Sequence, residues 1–205
     1  AMTAMIKGDR GLLGSVDGYY IAEPIQILAI VLMAALLMGI VPSTKELVAE
    51  RAIFRREALT GTGVGAYLGS KILVQTIVLA FQSALLTAVV LLINPHPNWG
   101  VGAPYWIELW FAILLIALAG SAVGYIISAT AKSLSGSLTS MIMALVALVV
   151  LSGSIMSLGS GLAGSISYAS PSRWGFGSLA ASSDINVTVR EAGYVLPLQK
   201  GAEQV

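Results

Sequence analysis

The densest cluster of chemically active side chains in this 205-residue sequence lies near residue 50. Seven of the 21 charged residues fall there: Lys45, Glu46, Glu50, Arg51, Arg55, Arg56 and Glu57. At about 100° per residue, Glu46, Glu50 and Glu57 form one narrow stripe of a helix. Arg51 and Arg55 lie further round, as a like-charged pair spaced i, i+4. The acidic stripe therefore has few partners within its own helix, and we expect its counter-charges to come from another helix or another protein.

The residues before this cluster predict that a helix begins there. Ser43 and Glu46 stand three residues apart directly after Pro42, which is the spacing of a capping box. We therefore expect a separate amphipathic helix over residues 43–58. Two interpretations of it stay open: it docks another protein, or it lies at a membrane interface where its arginines reach lipid phosphates.

The rest of the sequence lacks a set of side chains for catalysis. His96 is the only histidine and lies between two prolines, so the serines have no credible general base. The segment from Gly63 to Lys71 superficially resembles a phosphate-binding loop, but Ser70 separates Gly69 from Lys71 and no strand precedes it. Cysteine is absent and no metal-ligand spacing occurs. We expect no catalytic residue, metal site or cofactor in this chain.

The composition predicts an integral membrane protein rather than a soluble enzyme. Hydrophobic residues make up 57% of the chain and charged residues 10%, whereas a soluble domain carries about 25% charged residues. The mean hydropathy is +0.87. The net charge of +1 leaves no basic surplus to neutralise phosphates, so we expect no nucleic-acid partner.

Four long apolar runs lie between the charged segments. Each has the length of a helix that crosses roughly 30 Å of hydrocarbon. The predicted spans are residues 21–41, 66–93, 105–131 and 134–158. Strand-like alternation is missing, so we predict an all-α polytopic membrane bundle surrounded by lipid.

The distribution of basic residues predicts which loops face the cytoplasm. Lysine and arginine concentrate in the connection Pro42–Gly65, whereas the loop Asn94–Pro104 has neither, so the first is cytoplasmic and the second external. Trp106 and Trp110 lie beside that external loop, as aromatic rings do at the headgroup level. Residues 159–205 then form an external segment with a short interfacial or re-entrant helix. Both ends would lie outside without an export signal, so we expect a further helix upstream and another downstream.

One motif in the charged segment resembles a known family. Residues 50–57 read Glu-Arg-Ala-Ile-Phe-Arg-Arg-Glu, and Tyr67 and Ser70-Lys71 follow at the start of the next span. This pattern resembles the membrane domain of type-2 ABC exporters, in particular the G-subfamily-like bacterial and actinobacterial type. The order of loops and spans is similar over roughly residues 1–195. In that family a helix with the pattern E-R-x-x-F-x-R-E lies on the cytoplasmic side and transmits motion between a nucleotide-binding domain and the membrane helices.

The resemblance implies a function for the whole chain. The four spans would be the second to fifth of a six-span domain in the bacterial plasma membrane. A nucleotide-binding domain, fused or separate, would bind and hydrolyse ATP with Mg, and two membrane domains would pair around the pathway as a homodimer or half-transporter dimer. The coupling residues would be Glu46, Glu50, Arg51, Phe54, Arg55, Arg56 and Glu57. The alternative is a membrane scaffold protein without transport activity that docks a cytoplasmic partner through the same helix.

Polar and flexible side chains inside the spans are candidates for lining a pathway. They are Gln75, Thr76, Gln82, Ser83 and Met141. Gln75 and Gln82 share one helix face, and their amides must find partners in lipid, either on a neighbouring helix or in a translocation cavity. A lipid-like or amphiphilic substrate fits such an uncharged pathway better than an ion. Gly120 and Gly124, spaced i, i+4, predict a close approach of two helices.

Overall fold

The computed structural model describes residues 22–59, 63–94, 102–154 and 162–183. These residues form six helices: α1 (Ala22–Leu59), α2 (Val64–Ile93), α3 (Tyr105–Thr130), α4 (Leu134–Leu151), α5 (Leu162–Ser167) and α6 (Pro171–Ser182). In the described part of the chain, α1 to α4 are long and apolar enough to cross a membrane. The predicted all-α bundle with four spans is confirmed. The first twenty residues, His96 and residues 184–205, for which external positions were predicted, lie outside the described residues.

Helix α1 continues through the point where the sequence predicts a break. Pro42 lies inside it and has no N–H to donate to the preceding turn. Hydroxyl groups bond the carbonyl oxygens beside the proline: Ser43 Oγ donates to Gly39 O at 2.9 Å, and Thr44 Oγ1 donates to Ile40 O at 2.6 Å. The carbonyl that loses its backbone donor is that of Met38, and the two hydroxyls add donors to the next two carbonyl oxygens of the same turn. The predicted capping box does not form, because Ser43 bonds backward into α1.

The core of the bundle is the interface between α1 and α3. Buried apolar side chains recur every three or four residues of α1, at Ile27, Leu28, Val31, Leu32, Ala35, Leu36 and Ile40. They pack against Leu109, Ala112, Ile113 and Ile116 of α3. This spacing puts each set on one face of its helix. Helix α2 packs mainly on α3, and α4 packs mainly on α1.

Glycines bring the backbones of α1 and α3 into direct contact. A Cβ atom at Gly39 would lie 1.9 Å from Ala117 O, and one at Gly124 would lie 2.8 Å from Ser43 Cβ. At Gly120 a Cβ atom would lie 3.1 Å from a carbonyl oxygen of α1. The close approach predicted from Gly120 and Gly124 is therefore confirmed: Gly120 faces the backbone of Leu36 and Gly124 faces Ile40 and Ser43, while Gly39 on α1 faces Ala117.

One side of helix α2 is exposed and apolar, and the other side is buried in the bundle. Its exposed large apolar side chains are Val64, Ile72, Leu73, Val74, Ile77, Val78, Phe81, Leu85, Val89 and Leu92. Its buried row is Gln75, Leu79, Ser83, Thr87 and Val90. An apolar surface of this extent is foreign to soluble monomers. The chain is an integral multi-pass membrane protein.

Helix α4 ends at Leu151, before the predicted residue 158. Gly153 follows with φ of 74°, in the left-handed region that glycine adopts without strain. A residue in this conformation commonly terminates a helix. The turn at residues 152–154 therefore sets the end of the fourth span.

Helix α6 enters the bundle from the end where α3 begins. The hydroxyls of Tyr105 and Ser183 lie 2.9 Å apart, which joins the end of α6 to the start of α3. A Cβ atom at Gly175 would lie 2.6 Å from Ile116 Cγ1. Ile116 lies eleven residues after Tyr105, about 16 Å along α3. Helix α6 therefore lies along α3 from the level of Ile116 to the start of that helix.

Replacing Gly39 by alanine tests the α1–α3 interface. The new Cβ atom would overlap a backbone oxygen, so the two helices must separate. We expect Gly39→Ala to lower the free energy of unfolding by at least about 3 kcal/mol, the upper end of the usual range for overpacking. Thermal unfolding of the purified protein in detergent measures the loss.

Gly65→Ala is the matched control, because a Cβ atom at Gly65 has nothing within 4 Å. Alanine is the better helix former, so this variant should be neutral or more stable by up to about 1 kcal/mol. Equal melting temperatures for the two variants would contradict the backbone contact at Gly39.

Candidate functional site

The end of α1 and the start of α2 lie side by side and are joined by one shared lysine. Lys71 Nζ on α2 lies 2.7 Å from Glu50 Oε1 and 3.2 Å from Glu46 Oε1. The two glutamates are spaced i, i+4 on α1, so their charges repel each other when no cation lies between them. Lys71 supplies that cation to both carboxylates at once.

Two tyrosines bond the remaining carboxylate oxygens. The Tyr67 hydroxyl of α2 donates to Glu50 Oε2 at 2.9 Å, and the Tyr125 hydroxyl of α3 donates to Glu46 Oε2 at 3.0 Å. All four oxygens of the two carboxylates are therefore bonded by side chains of α2 and α3. We call these five residues the Lys71 network: Glu46, Glu50, Tyr67, Lys71 and Tyr125.

The Lys71 network is partly shielded from solvent. The side chains of Glu46, Glu50 and Lys71 are 24%, 35% and 23% exposed. An isolated surface ion pair contributes about 0–1 kcal/mol, but charge-assisted hydrogen bonds in a shared network contribute more. The network therefore stabilises the position of the α1 end against α2 and α3.

Two serines, one on α3 and one on α4, bond the backbone of α1 between residues 44 and 48. Val48 N donates to Ser128 Oγ of α3 at 3.0 Å, and Ser137 Oγ of α4 donates to Thr44 O at 2.8 Å. Thr44 O and Val48 N are the i, i+4 pair of one helical turn. That turn is thus held from two sides, by α3 and by α4.

The structure brings together part of the predicted site. The expectation that another helix neutralises the acidic stripe is confirmed for Glu46 and Glu50. Arg56 is exposed to solvent. The side chains of Arg51, Phe54, Arg55 and Glu57 lie outside the described residues.

The predicted site omitted the partners of the two glutamates. Tyr67 and Lys71 belong to the recognised motif, but their contacts join α2 to α1. Helical periodicity describes residues on one helix only and does not predict such contacts. Tyr125 and Ser128 were not predicted at all. One signal could have found Tyr125: a tyrosine hydroxyl inside an apolar span needs a polar partner.

The candidates for pathway lining fall into two groups. Thr76 and Ser83 satisfy their hydroxyls within α2, by donating to Ile72 O and Ala80 O, and Met141 packs against the main core. The two glutamines differ, because Gln75 Nε2 and Gln82 Oε1 are buried without a hydrogen-bond partner in the described structure. An unpartnered buried amide costs about 1–3 kcal/mol. Gln75 and Gln82 therefore remain the pathway candidates with unsatisfied polar groups.

A groove of about 480 Å³ lies between α2 and α3. Its lining residues are Ala84, Thr87, Ala88, Leu91, Trp106 and Trp110. Small side chains of α2 form the depression, and the two tryptophans of the predicted aromatic interface form a wall. Trp110 Nε1 donates to Ala80 O at 3.2 Å, which satisfies the indole N–H in an apolar setting.

The Lys71 network holds α1, α2 and α3 together. Its donors and acceptors satisfy one another and leave no activated nucleophile. Within the described ranges, no three His, Cys, Asp or Glu side chains lie close enough together to hold a metal ion. The arrangement joins α1, α2 and α3 at one end of the bundle through charge-assisted hydrogen bonds.

These features define a class: a polytopic α-helical membrane domain with a charged hairpin at one end. The ABC-2 type transporter family matches residues 9–182, and the chain belongs to that family. It is 34% identical over 189 residues to the ABC transporter ATP-binding/permease protein Rv1747 of Mycobacterium tuberculosis. That similarity covers 90% of this chain and 22% of the length of the relative. No solved structure matches the chain.

A double-mutant cycle tests the shared lysine. Lys71→Gln leaves two glutamates facing each other, and Glu50→Gln removes one of them, so the double variant should lose less stability than the two single variants together. We expect a coupling energy of at least about 1 kcal/mol, since residues in one charged network couple by about 0.5–3 kcal/mol. Chemical or thermal unfolding in detergent gives the four free energies of the cycle.

Lys132→Gln is the control for loss of one positive charge, because Lys132 is exposed on the connection between α3 and α4. It should change stability by no more than about 0.5 kcal/mol. Strict additivity of Lys71→Gln and Glu50→Gln would show that the pair does not interact.

Proposed function

We propose that this chain is the membrane domain of an ATP-driven exporter and that the end of α1 couples it to a nucleotide-binding domain. The supporting observation is the Lys71 network, which fixes the end of α1 to two other spanning helices. Membership of the ABC-2 type transporter family supports the same function. The printed name of the mycobacterial relative combines an ATP-binding part with a permease.

The length of α1 supports a position outside the bilayer for its end. Its 38 residues extend about 57 Å, whereas a bilayer with its headgroups is about 40–45 Å thick. At a tilt of about 20°, the usual value, α1 still spans about 53 Å. The final residues therefore project into water, where a soluble domain can reach them. Basic residues concentrate in this connection, which favours the cytoplasmic side.

The contacts of α1 explain how a push on its end would act. The Lys71 network joins the end of α1 to α2 and α3, and the Ser137 contact joins it to α4. A displacement of the projecting end therefore moves several spanning helices together. Residues 43–58 keep the predicted coupling role as the last part of a spanning helix, not as a separate helix lying on the membrane.

ATP and Mg would bind on the nucleotide-binding domain, fused or separate, and hydrolysis would occur there. A second copy or a related half-transporter would complete the pathway. Gln75 and Gln82 support a place for α2 beside that pathway, because water or a polar group of the substrate would satisfy their unpartnered atoms. A lipid-like or amphiphilic substrate suits walls that carry amides and hydroxyls but no ionised group.

Charge reversal at Glu50 tests the coupling. Glu50→Lys places a second cation beside Lys71, so an attraction becomes a repulsion and the end of α1 loses its fixed position. Breaking a partly desolvated charge pair can cost 2–5 kcal/mol, so substrate transport should fall strongly. ATP hydrolysis should persist but lose its response to substrate. The measurement is transport and substrate-stimulated ATPase activity of the intact transporter in vesicles.

Lys132→Glu is the matched control, because it reverses an exposed charge on the connection between α3 and α4 and should leave both activities near wild type. A membrane-surface helix or a scaffold predicts no effect of Glu50→Lys on substrate response. Wild-type transport and stimulation in Glu50→Lys would remove the coupling assignment.

Replacing Gln82 by alanine tests the pathway. If Gln82 faces the pathway, Gln82→Ala should change the relative transport rates of different substrates at unchanged protein level. If the glutamine only bonds a neighbouring helix, the variant should instead lose about 0.6–2 kcal/mol of stability. Leu85→Ala, on the exposed side of α2, controls for loss of side-chain volume. An unchanged substrate profile in well-expressed Gln82→Ala would rule out the pathway role.

A further inference from the structure

An arginine of α6 lies at the level of the middle of α3. Helix α3 has 26 residues and extends about 39 Å, enough to cross roughly 30 Å of hydrocarbon. Gly175 of α6 packs on Ile116, which is about 16 Å from the start of α3 and about 21 Å from its end. Helix α6 runs from this level toward Tyr105, so Arg173 lies about 3 Å further from the start of α3 than Gly175. The backbone of Arg173 is therefore near the middle of the hydrocarbon layer.

A contact with α4 gives the same depth. Ser172 Oγ of α6 donates to Leu148 O of α4 at 2.5 Å. Leu148 is fourteen residues after Leu134, the first residue of α4, and so about 21 Å along that helix. The end of α3 and the start of α4 adjoin the same short connection, so both distances are measured from one side of the bundle. Two helices thus give the start of α6 the same level by separate contacts.

The guanidinium of Arg173 does not turn back toward the start of α3. Its Nη1 donates to Ser167 Oγ, and its central carbon lies 4.0 Å from the centroid of the Tyr168 ring. Both residues precede α6, whereas α6 itself leads toward Tyr105. A snorkelling arginine would extend along the helix to the nearer headgroups. The charge of Arg173 instead stays at the depth of its backbone.

The spanning helices supply no carboxylate at this depth. Among the described residues, the salt bridges do not include Arg173. Asp and Glu are absent from three stretches that form most of the spans and all of α6: residues 24–45, 72–107 and 109–183. A second copy of the chain has the same stretches, so pairing of two copies would not bring a carboxylate from them to Arg173.

Arg173 lies on the side of α6 that faces away from the bundle core. The packed side of α6 contains Ser172 and Leu179, which are buried. At about 100° per residue, Arg173 falls on the other side and is partly exposed. Its neighbours there are the exposed residues Trp174, Gly177 and Ser178. Because arginines within membranes almost always face a protein interior or a water-filled cavity, this side of α6 borders a polar space and not acyl chains.

The unused donors of Arg173 fit one class of ligand. Among the described residues, the guanidinium donates only to Ser167, and the Tyr168 ring covers one of its flat faces. A guanidinium presents its remaining N–H groups as a rigid fork, which matches two oxygens of a phosphate or carboxylate. A neutral or cationic ligand would leave the charge uncompensated.

We propose that Arg173 binds the anionic head group, a phosphate or a carboxylate, of the amphiphile that the transporter carries. This inference rests on the proposed function and narrows its substrate class from amphiphiles in general to anionic ones. The side of α2 that carries Gln75 and Gln82 has no ionised group, and α6 adds a cation to the pathway. Arg173 is then a residue that determines specificity, and the adjacent Trp174 reports its occupancy.

Tryptophan fluorescence of the full-length transporter in nanodiscs of neutral phosphatidylcholine tests the site. The two probes share a dodecyl tail: dodecyl phosphate is anionic and dodecyl phosphocholine is zwitterionic. The signal of Trp174 is the difference between the wild type and Trp174→Phe. We expect the wild type to bind dodecyl phosphate at least about ten-fold more tightly than dodecyl phosphocholine, equivalent to about 1.4 kcal/mol. Equal affinities in the wild type would overturn the proposal without the need for any arginine variant.

Replacing the arginine isolates its charge. Arg173→Gln should weaken the binding of dodecyl phosphate about ten-fold and leave the binding of dodecyl phosphocholine unchanged. Arg173→Lys keeps the charge and should retain part of the preference, whereas Lys132→Gln, the control for loss of an exposed cation, should retain all of it. An unchanged preference in Arg173→Gln, with or without a lower melting temperature, would mean that Arg173 has only a structural role.

ATP hydrolysis separates a carried amphiphile from a phospholipid that is bound permanently. Dodecyl phosphate should stimulate the ATPase activity of the wild type more than dodecyl phosphocholine does, and Arg173→Gln should lose this difference. Stimulation by dodecyl phosphocholine alone would assign the anion site to a structural phospholipid and overturn the substrate role. Equal stimulation by both probes would also overturn it and leave the exporter function intact. No stimulation of the wild type by either probe would count against the proposed function itself.

Discussion

In lipid, two helices gain little by hiding apolar side chains from each other, because the acyl chains are equally apolar. Close contact of their backbones supplies the attraction instead, and α1 and α3 achieve it where Gly39 meets Ala117 O and where Gly124 meets Ser43. Without this contact the side chains of α3 would not reach α1. The Ser128 and Tyr125 bonds, and with them the Lys71 network, depend on it.

The two helices run parallel, and their contacts keep one register. Gly39 lies against Ala117, Glu46 bonds Tyr125 and Val48 bonds Ser128, so each pair is separated by about 80 residues in sequence. The glycine contact within the membrane and the charged site at its surface therefore belong to one continuous interface. A chain that packs correctly at the first point is aligned at the second.

Much of this structure could be predicted from local properties of the sequence. Hydropathy and length gave four spans, and the spacing of Gly120 and Gly124 gave a close helix contact. The predicted helix break at Pro42 was wrong, because the Ser43 hydroxyl can either cap a following helix or bond a preceding carbonyl oxygen. Which of the two occurs depends on the packing of α3 and α4 around that turn, and helical periodicity does not contain this information.

The site was predictable to the extent that it lies on one helix. The stripe of Glu46 and Glu50 was found, together with its need for an external counter-charge. Lys71 lies on α2 and Tyr125 on α3. They could not be assigned from the sequence as partners of the glutamates, because only the packing of these two helices against α1 brings them close. Tertiary contacts decide which charged side chains are already paired within the bundle.

The glycine contact also determines how the bundle can deform. Sliding α1 along α3 by one helical turn would require a shift of about 5.4 Å and would bring side-chain carbons against backbone oxygens, so slip along this interface is blocked. Gly175 of α6 packs against both helices of this pair, at Leu32 of α1 and Ile116 of α3. A displacement of this helix pair is therefore shared with α6 through the contact at Gly175. The bundle can deform most easily between the α1–α3 pair and the two sparsely packed outer helices, α2 and α4.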